Sequence, residues 1–352
     1  MPDLPAAKGY YLGWVGHGNL GDEVMFKAAK SQLDWVSWNI YYGAKAEKVK
    51  TEIKTDKNHT FCGILGGGTL INSGVGWLTQ YCSLSMSLYK VIPVFGTGVA
   101  DPEFWTGRQG WKDHRNSWTE VLKQLDRVGV RGPRSVELLN EVGLNNVKMV
   151  GDPAILFAIN RDPKRQLGGK VVVNVGTALG NMWGGESNII STTVKLVHSI
   201  QKLGHKVILV SVWGDDTKTL IEIASKCKGV DIFETKDFGA FYAVTQDADA
   251  LIGMKLHAQI LSCCYNIPTI FLEYMPKCRD FAESLGYKTI RTDEYSAARV
   301  LAELDYIYSD MDEYRTQLLT KVSSLKTVFY NYCYEYLTPS LIETAQKSLW
   351  IK

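Results

Sequence analysis

Short apolar segments that end in a glycine-containing loop and then give way to a helical pattern recur along the whole 352-residue chain. The first of them, residues 9–15, is followed by a glycine loop at 16–21 and by a helical pattern from 22 to 33. Strands that alternate with helices in this way are typical of a parallel β-sheet with helices on both faces. The pattern predicts further strands at 60–65, 91–95, 127–131 and 148–150, and then at 170–175, 206–212, 230–233, 250–252 and 269–272.

A polar, turn-rich segment at residues 160–169 interrupts this alternation. A chain of this length is too long for one ordinary core and suits two domains of about 150 residues each. Beyond residue 293 the pattern is helical to the end. We therefore predict an N-terminal Rossmann-like domain at 1–160, a C-terminal Rossmann-like domain at 168–310, and C-terminal helices at 311–352 that cross back to the first domain.

The composition narrows the classes of partner and location. The chain has 39 Lys and Arg residues against 37 Asp and Glu residues, so its net charge of +2 indicates no nucleic-acid partner. Its seven cysteines lie mostly in apolar stretches without zinc-ligand spacing, which favours reduced, buried thiols and a cytoplasmic location. No run approaches the roughly 20 apolar residues of a membrane span, so we expect no transmembrane segment and leave peripheral membrane contact open.

The glycine loop at 16–21 places several polar side chains at a strand-to-helix junction. Its letters match a loose GxGxxG, but no acidic residue stands at the strand end expected of a dinucleotide site, so the loop does not predict NAD. Asn19 lies within the loop, and Asp22 and Glu23 follow it; all three are candidates for a site beyond the strand ends. The alternative is a helix N-cap with acids that suit the helix dipole.

A second cluster, residues 253–258, follows the predicted strand at 250–252 and opens a helix. Lys255 and His257 provide cationic donors beside a helix N-terminus, which is what a phosphate or carboxylate requires. His257 can also transfer a proton near neutral pH, although a single histidine is often only a structural hydrogen-bonding group. After the next strand, Glu273 and Lys277 could close on the same ligand or form an exposed ion pair of little energetic weight.

A series of short motifs runs from residue 16 to residue 286. They are the segments 16–23, 66–68, 96–98, 130–135, 138–143, 151–153, 253–258, 266–270 and 274–277, followed by Phe281, Leu285 and Gly286. Each motif is modest by itself, and their shared order over that length is more specific. Taken in this order, the motifs resemble the polysaccharide pyruvyl transferase family.

The resemblance implies an α/β fold of the GT-B type, with two Rossmann-like domains of mostly parallel sheets facing a cleft. It also implies transfer of a pyruvyl group from phosphoenolpyruvate to two hydroxyls of a sugar, forming a cyclic ketal without a prosthetic group. The acceptor would be a glycan or a lipid-linked sugar, bound on the side of domain 1–160, and the donor would bind to domain 168–310. We expect no metal, since no carboxylate–histidine cluster has metal-ligand spacing, and the sequence indicates no oligomeric state.

The resemblance implies that the family's Arg-Leu-His motif, which maps onto Lys255, Leu256 and His257, holds the donor. The chemistry of the reaction then suggests roles for further residues. His257 would protonate the enol methylene while Asp22 or Glu23 accepts the proton of a sugar hydroxyl. The predicted donor-binding residues are Lys255, Leu256, Glu273, Lys277, Gly176 and Trp213. The predicted acceptor and cleft loops contain His17, Asn19, Gly67, Gly68, Thr69 and Gly98.

Two departures from the family pattern keep other functions open. The usual Arg of the Arg-Leu-His motif is Lys255, which cannot form a bidentate fork with a carboxylate. The family's later Tyr-Asp pair is replaced by Glu273 and Tyr274, and a glutamate there suits the ribose of a nucleotide. The alternative function is therefore a nucleotide-sugar-dependent glycosyltransferase, in which Trp213 stacks on the base unless it is simply a packed aromatic. An inactive scaffold protein is less favoured, because polar residues gather at loops predicted to face one cleft.

Overall fold

The computed structural model describes residues 7–41, 51–52, 54–56, 58–73, 92–160 and 169–348. The chain divides into two compact units, the first formed by residues 1–17, 25–153 and 327–352 and the second by 18–24 and 154–326. The predicted boundary at 160–169 lies mostly outside the described residues. The domain bounds 1–160, 168–310 and 311–352 therefore remain predictions.

The described strands are β1 (Ala7–Leu12), β2 (Val36–Tyr41), β3 (Thr60–Leu65), β4 (Val128–Val130), β5 (Val147–Met149), β6 (Lys170–Asn174), β7 (Lys206–Ser211), β8 (Asp231–Glu234), β9 (Ala250–Gly253), β10 (Thr269–Glu273) and β11 (Ile290–Arg291). The described α-helices are α1 (Leu20–Gln32), α2 (Pro102–Trp105), α3 (Arg115–Leu122), α4 (Pro133–Asn140), α5 (Ser187–Lys202), α6 (Thr217–Ser225), α7 (Phe238–Thr245), α8 (Leu256–Cys264), α9 (Pro276–Ser284), α10 (Ala297–Ser309), α11 (Met311–Tyr332) and α12 (Thr338–Ser348). Single 3₁₀ turns lie at Pro153–Phe157 and Gly214–Asp216, and a π-helical turn at Cys333–Leu337 precedes α12.

In the first unit, β2, β1 and β3 form a parallel sheet in that order, with Ala7 opposite both Val36 and Thr60. A separate parallel pair, β4 and β5, follows later in the chain. Every residue of β3 is buried, as expected of a strand covered on both faces. Helix α12 packs against β3, and the core is built from apolar side chains of these strands and helices.

The predicted strand at 91–95 is not a regular strand in its described part, residues 92–95. Val94 forms an isolated parallel bridge with Leu65, and the N–H of Phe95 donates to the carbonyl of Leu65. The segment thus lies beside β3, and the N–H of Gly96 then reaches the carbonyl of Gly129. Pro93 has no N–H to donate, which explains why this segment makes isolated bridges rather than a continuous ladder.

In the second unit, six parallel strands follow the order β11-β10-β9-β6-β7-β8. Counted from β6, this is the order 3-2-1-4-5-6 of the Rossmann fold, with its switch point between β6 and β9. The central strand β6 is buried throughout, and its run of valines suits a strand covered by helices on both faces. The predicted α/β class with parallel, Rossmann-like sheets is therefore confirmed, and the predicted strands of this half match β6 to β10 within one or two residues.

Two further features bear on the predictions. Within the described part of the chain, no helix combines the length and apolarity required to cross a membrane. The described cysteines are all buried, as predicted: Cys62, Cys227, Cys263, Cys264, Cys278 and Cys333.

Candidate functional site

The switch point of the second sheet is organised by Asn174, the last residue of β6. Its Oδ1 accepts a hydrogen bond from the N–H of Lys255 at 2.9 Å, and its Nδ2 donates to the carbonyl of Val210 at 2.8 Å. The carbonyl of Asn174 also accepts from the N–H of Met254. One buried amide therefore connects the carboxyl ends of β6, β7 and β9, which is where a Rossmann sheet binds its ligand.

Lys255 is the N-cap residue of α8 and stands directly beyond this point. Its Nζ lies 3.0 Å from Oδ1 of Asp216 and donates to the carbonyl of Thr177 at 2.5 Å. The same ammonium lies 4.9 Å from the ring centroid of Trp213 and 5.3 Å from that of Tyr274. Only 7% of the residue is exposed, so the charge sits in a largely desolvated pocket made by one carboxylate, one carbonyl and two aromatic faces.

Asp216 is the acidic partner of Lys255 and was not predicted from the sequence. It is fully buried, and burial raises the pKa of its carboxyl group to about 6, against the opposing effect of Lys255. The predicted residue Gly176 lies against it, since a Cβ there would come within 2.0 Å of Oδ1 of Asp216. The available signal was the Asp215–Asp216 pair beyond Trp213, after a predicted strand.

A second unpredicted carboxylate, Glu186, lies near Lys255. Its Oε1 accepts hydrogen bonds from the N–H groups of Ala178 and Gly180 and from Oγ1 of Thr177. Burial alone would raise the pKa of Glu186, but these hydrogen bonds and the charge of Lys255 outweigh it and lower the pKa. The loop after β6 thus surrounds a carboxylate oxygen with donors.

His257 is the second residue of α8, after the buried Leu256 at its first position. Gly21 packs directly against the histidine ring, because a Cβ at Gly21 would lie 1.9 Å from Nδ1 of His257. Residues 18–24 belong to the second unit, and the N–H of Leu20 donates to the carbonyl of Val212. The first turn of α1 therefore lies beside the predicted proton donor.

Asn19, Asp22 and Glu23 lie at the N-terminus of α1, as expected if they serve to cap this helix. Oδ1 of Asn19 accepts from the N–H of Gly21 at 2.9 Å, and Asn19 also forms an antiparallel bridge with Trp213. Asp22 and Glu23 occupy the first turn of α1, where carboxylates suit the helix dipole. Both acids lie in the same unit as Lys255 and His257, because residues 18–24 belong to the second unit.

Glu273 ends β10 and is 1% exposed. Its Oε1 accepts from Nε1 of Trp183 at 3.0 Å and its Oε2 from Oγ1 of Thr289 at 2.6 Å. Burial raises the pKa of Glu273, an effect that these bonds oppose. The Nζ of Lys277 lies 5.0 Å from the ring centroid of Tyr274.

The predicted loops of the first unit surround a fully buried ion pair. Nε of Arg131 lies 3.2 Å from Oδ2 of Asp152, and both side chains have zero exposure. The guanidinium also donates to the carbonyl of Gly68 and to Oγ1 of Thr69, at 3.4 Å for the latter. The N–H of Gly98 donates to the same carbonyl at 2.7 Å.

Gly67 and His17 complete the predicted residues of this unit. The N–H of Gly67 donates to Oη of Tyr11 at 3.1 Å, and a Cβ at Gly67 would lie 2.1 Å from the sulfur of Met25. His17 is exposed, and its ring lies edge-on to Trp14 with centroids 5.3 Å apart. Gly67, Gly68, Thr69 and Gly98 are thus brought together around Arg131 and Tyr11, whereas His17 contacts a different aromatic residue.

The structure therefore brings together one group of predicted residues in the second unit: Asn19, Gly176, Trp213, Lys255, Leu256 and His257. It adds Asp216 and Asn174, whose partners are distant in the chain, and Glu186, whose hydrogen-bond donors lie six to nine residues before it. Among the described residues, no group of three His, Cys, Asp or Glu side chains is placed to hold a metal ion.

The profile of the polysaccharide pyruvyl transferase family matches residues 19–275. This range includes α8, Lys255, His257 and most of the residues described above. No curated protein matches the chain.

Several solved structures share the fold at low sequence identity. Anabaena Alr3699/HepE in complex with UDP is 9% identical, with a TM-score of 0.59 over 96% of this chain and 99% of that one. The UDP-GlcNAc 2-epimerase of Neisseria meningitidis, bound to UDP-GlcNAc, is 10% identical with a TM-score of 0.55 over 96% and 99%. S. aureus MnaA, in a co-structure with UDP, is 10% identical with a TM-score of 0.56 over 94% and 97%. Likeness at such identities concerns the fold, which is of the GT-B type.

The family match covers well over half of the chain, and the Rossmann order of the second sheet agrees with the fold of these structures. The chain belongs to the polysaccharide pyruvyl transferase family and is a transferase with a GT-B-like fold.

Proposed function

We propose that the protein transfers the pyruvyl group of phosphoenolpyruvate to two hydroxyls of a sugar, forming a cyclic ketal and releasing inorganic phosphate. The observation that carries this proposal is the Lys255-Leu256-His257 segment. It lies at the start of α8, beyond the switch point, at the position of the family's Arg-Leu-His motif.

The charges of this site suit the proposed donor. Phosphoenolpyruvate carries a carboxylate and a phosphate, and it therefore requires cations and N–H donors in a desolvated place. Lys255 supplies the charge, and the N-terminus of α8 supplies backbone donors. Oδ1 of Asp216 lies 3.0 Å from this ammonium, so the donor would share Lys255 with an internal carboxylate.

The reaction requires one proton donor and one acceptor. Protonation of the enol methylene by His257 would make the adjacent carbon electrophilic, and a first sugar hydroxyl would then form a C–O bond to it. A second hydroxyl would form the other C–O bond as the bond to phosphate breaks. Asp22 or Glu23, which follow Gly21 beside the histidine, would accept the hydroxyl protons.

We assign the acceptor, a glycan or lipid-linked sugar, to the loops that contain His17, Asn19, Gly67, Gly68, Thr69 and Gly98. The guanidinium of Arg131, which donates to the carbonyl of Gly68, and the hydroxyl of Tyr11, which accepts from the N–H of Gly67, hold the glycine loops of the first unit in one backbone conformation. Because phosphoenolpyruvate is a cytoplasmic metabolite, we propose that the reaction takes place in the cytoplasm.

The second candidate is glycosyl transfer from a nucleotide sugar. Its support is that structures of similar fold contain UDP or UDP-GlcNAc. Lys255 would then bind the diphosphate, Glu273 the ribose, and Trp213 the base. Both oxygens of Glu273 already accept hydrogen bonds from Trp183 and Thr289, so this candidate has less support than pyruvyl transfer.

The experiment that tests the proposal is calorimetric titration of the full chain with phosphoenolpyruvate and with a set of UDP-sugars. Binding of phosphoenolpyruvate, followed by phosphate release when a sugar acceptor is added, is the expected result. Binding of a UDP-sugar without phosphoenolpyruvate binding would replace the proposal with the second candidate. A response to neither donor would indicate a scaffold.

Lys255→Arg and Lys255→Ala form a matched pair of variants. Loss of the cation should weaken phosphoenolpyruvate binding at least tenfold, the scale of a charged hydrogen bond of about 1.5–3 kcal/mol. Lys255→Arg should keep or improve binding, because it restores a bidentate fork for the carboxylate. Equal affinities in wild type and Lys255→Ala would show that the anion site lies elsewhere.

Glu273→Gln separates the two donors. Its carboxylate would repel phosphoenolpyruvate, so the neutral amide should leave that affinity unchanged or raise it slightly at low salt. A ribose held by Glu273 would instead lose about 1–3 kcal/mol of binding. Weakening of UDP-sugar binding in this variant would favour glycosyl transfer.

A further inference from the structure

The loop between β6 and α5 directs three hydrogen-bond donors at a single oxygen atom. The N–H groups of Ala178 and Gly180 lie 2.7 and 3.0 Å from Oε1 of Glu186, and Oγ1 of Thr177 lies 2.8 Å from it. A further N–H, that of Leu179, donates to Oγ1 of Thr177 at 3.0 Å. The loop therefore forms a concave set of donors, and a carboxylate occupies it.

The backbone conformation of this loop is the kind that creates anion-binding concavities. Leu179 has a φ of 51° and Gly180 a φ of 79°, both in the left-handed region. That region is unfavourable for leucine, and this side chain is 67% exposed, so its own packing does not explain the conformation. Backbone N–H groups turned toward one point, as those of Ala178 and Gly180 are here, bind anions such as phosphate.

The surroundings of the loop match the proposed donor site. It starts directly after Gly176, beyond the central strand β6 and beside the switch point. The Nζ of Lys255 donates to the carbonyl of Thr177, and its charge acts on Glu186. The fully buried Asp216 carboxylate lies 3.0 Å from the same ammonium and against Gly176, the residue before the loop.

We propose that residues 177–180 are the binding place for the phosphate of the donor, and that Glu186 occupies this place until the donor displaces it. The ligand class is a phosphate monoester or a diphosphate, whose several anionic oxygens can use all of the converging donors. This inference rests on the proposed function for the identity of the donor. It makes Glu186 an internal competitor of the substrate.

The test is titration of the full chain with inorganic phosphate by calorimetry, which needs no acceptor and no turnover. In Glu186→Gln the competing group is neutral and forms weaker hydrogen bonds, so phosphate should bind about tenfold more tightly. Asp215→Asn is the matched control: it removes one negative charge from an exposed residue next to Asp216 without touching the loop. It should change phosphate affinity less than threefold.

Two further variants keep the proposal open to contradiction. Glu186→Asp retains the charge but shortens the side chain, so tighter phosphate binding in this variant would show that reach, not charge, controls access. Thr177→Val, added to Glu186→Gln, removes one donor from the loop and should abolish the gain. Unchanged or weaker phosphate binding in both Glu186 variants would overturn the proposal and make Glu186 a clasp that shapes the loop.

Parallel titrations with phosphoenolpyruvate and UDP separate this inference from the proposed function. If Glu186→Gln tightens the binding of inorganic phosphate and UDP but not that of phosphoenolpyruvate, residues 177–180 are the phosphate-binding loop and the proposed donor is wrong. If all three ligands bind more tightly, both proposals are supported. If none does, the loop is not the phosphate place, whatever donor Lys255 binds.

Discussion

Each of the two units contains an ion pair between a basic residue and a buried aspartate next to a glycine loop. The two pairs differ in the exposure of the cation and in its other partners. In the first unit, Arg131 pairs with Asp152, and both side chains have zero exposure. In the second, Lys255 pairs with Asp216, and the lysine side chain is 9% exposed.

The partners of the two cations explain the difference. The planar guanidinium of Arg131 also donates to the carbonyl of Gly68 and to Thr69, so its donors are used to fix the loops. The ammonium of Lys255 is a point charge between one carboxylate, one carbonyl and two aromatic rings. The first pair therefore fixes the conformation of the glycine loops as part of the scaffold. The second pair holds a charge beside the switch point, where a ligand can share it.

The largest effect is expected from Asp152→Asn, which leaves the buried charge of Arg131 without its carboxylate. The free energy of unfolding should fall by about 3–5 kcal/mol, the usual result of removing one partner of a buried ion pair. Urea denaturation followed by circular dichroism measures it. Glu222→Gln, which breaks an exposed pair with Lys226, is the control and should change stability by less than about 1 kcal/mol. Equal effects in both variants would contradict a scaffold role.

The pH dependence of stability tests the second pair. The pKa of Asp216 is raised from 3.8 to about 6 in the folded protein, mainly by burial. The folded state therefore holds this proton more tightly, and stability should fall as the pH rises from about 4 through about 6. The contribution of this single group amounts to about 3 kcal/mol.

Asp216→Asn isolates that contribution, because it removes the titrating group. Urea denaturation of wild type and variant at pH 4, 5, 6 and 7 should give a difference that changes in this window and is constant outside it. Parallel curves would show that the carboxyl group titrates at its ordinary pKa.

Lys255→Met should lower the free energy of unfolding by less, about 2 kcal/mol at pH 7. It leaves Asp216 without its cation, but this carboxyl group can take up a proton instead of remaining charged. The double variant Lys255→Met with Asp216→Asn should recover most of the loss, and a double-mutant cycle in urea measures the coupling. Additive losses would mean that the two side chains do not interact in solution.

The smallest effect is expected from Lys277→Ala, which removes a cation 5.0 Å from the ring centroid of Tyr274. Its stability should fall by about 0.5–1 kcal/mol, the scale of an exposed cation–π contact. Lys321→Ala removes a comparable contact with Tyr287 elsewhere in the same unit. Titration with phosphoenolpyruvate then distinguishes the two variants, since only Lys277→Ala should weaken donor binding. The same affinity in both variants would remove Lys277 from the donor site.

Local patterns in the sequence were enough to predict most of the elements that carry the site. The runs at 170–174 and 269–273 are strands because apolar and β-branched residues there can be buried on both faces. The start of α8 at Leu256 and the turn after β6 follow from glycine, polar and helical patterns within a few residues. The positions of Gly176, Lys255 and His257 beyond strand ends were therefore predictable.

By itself the sequence determined the α/β class, the parallel sheets, the family and the location of Lys255 and His257 at a helix start. Only the tertiary structure decided which carboxylates meet which cations. Asp216 lies 39 positions before Lys255, and Asp152 lies 21 positions after Arg131, so no local period relates them. It also decided that Glu186 fills the loop at 177–180, that residues 18–24 pack with the second unit, and that Pro93 reduces a predicted strand to isolated bridges. The two ion pairs depend on strand order and burial, which bring distant residues together through free energy that no short segment possesses alone.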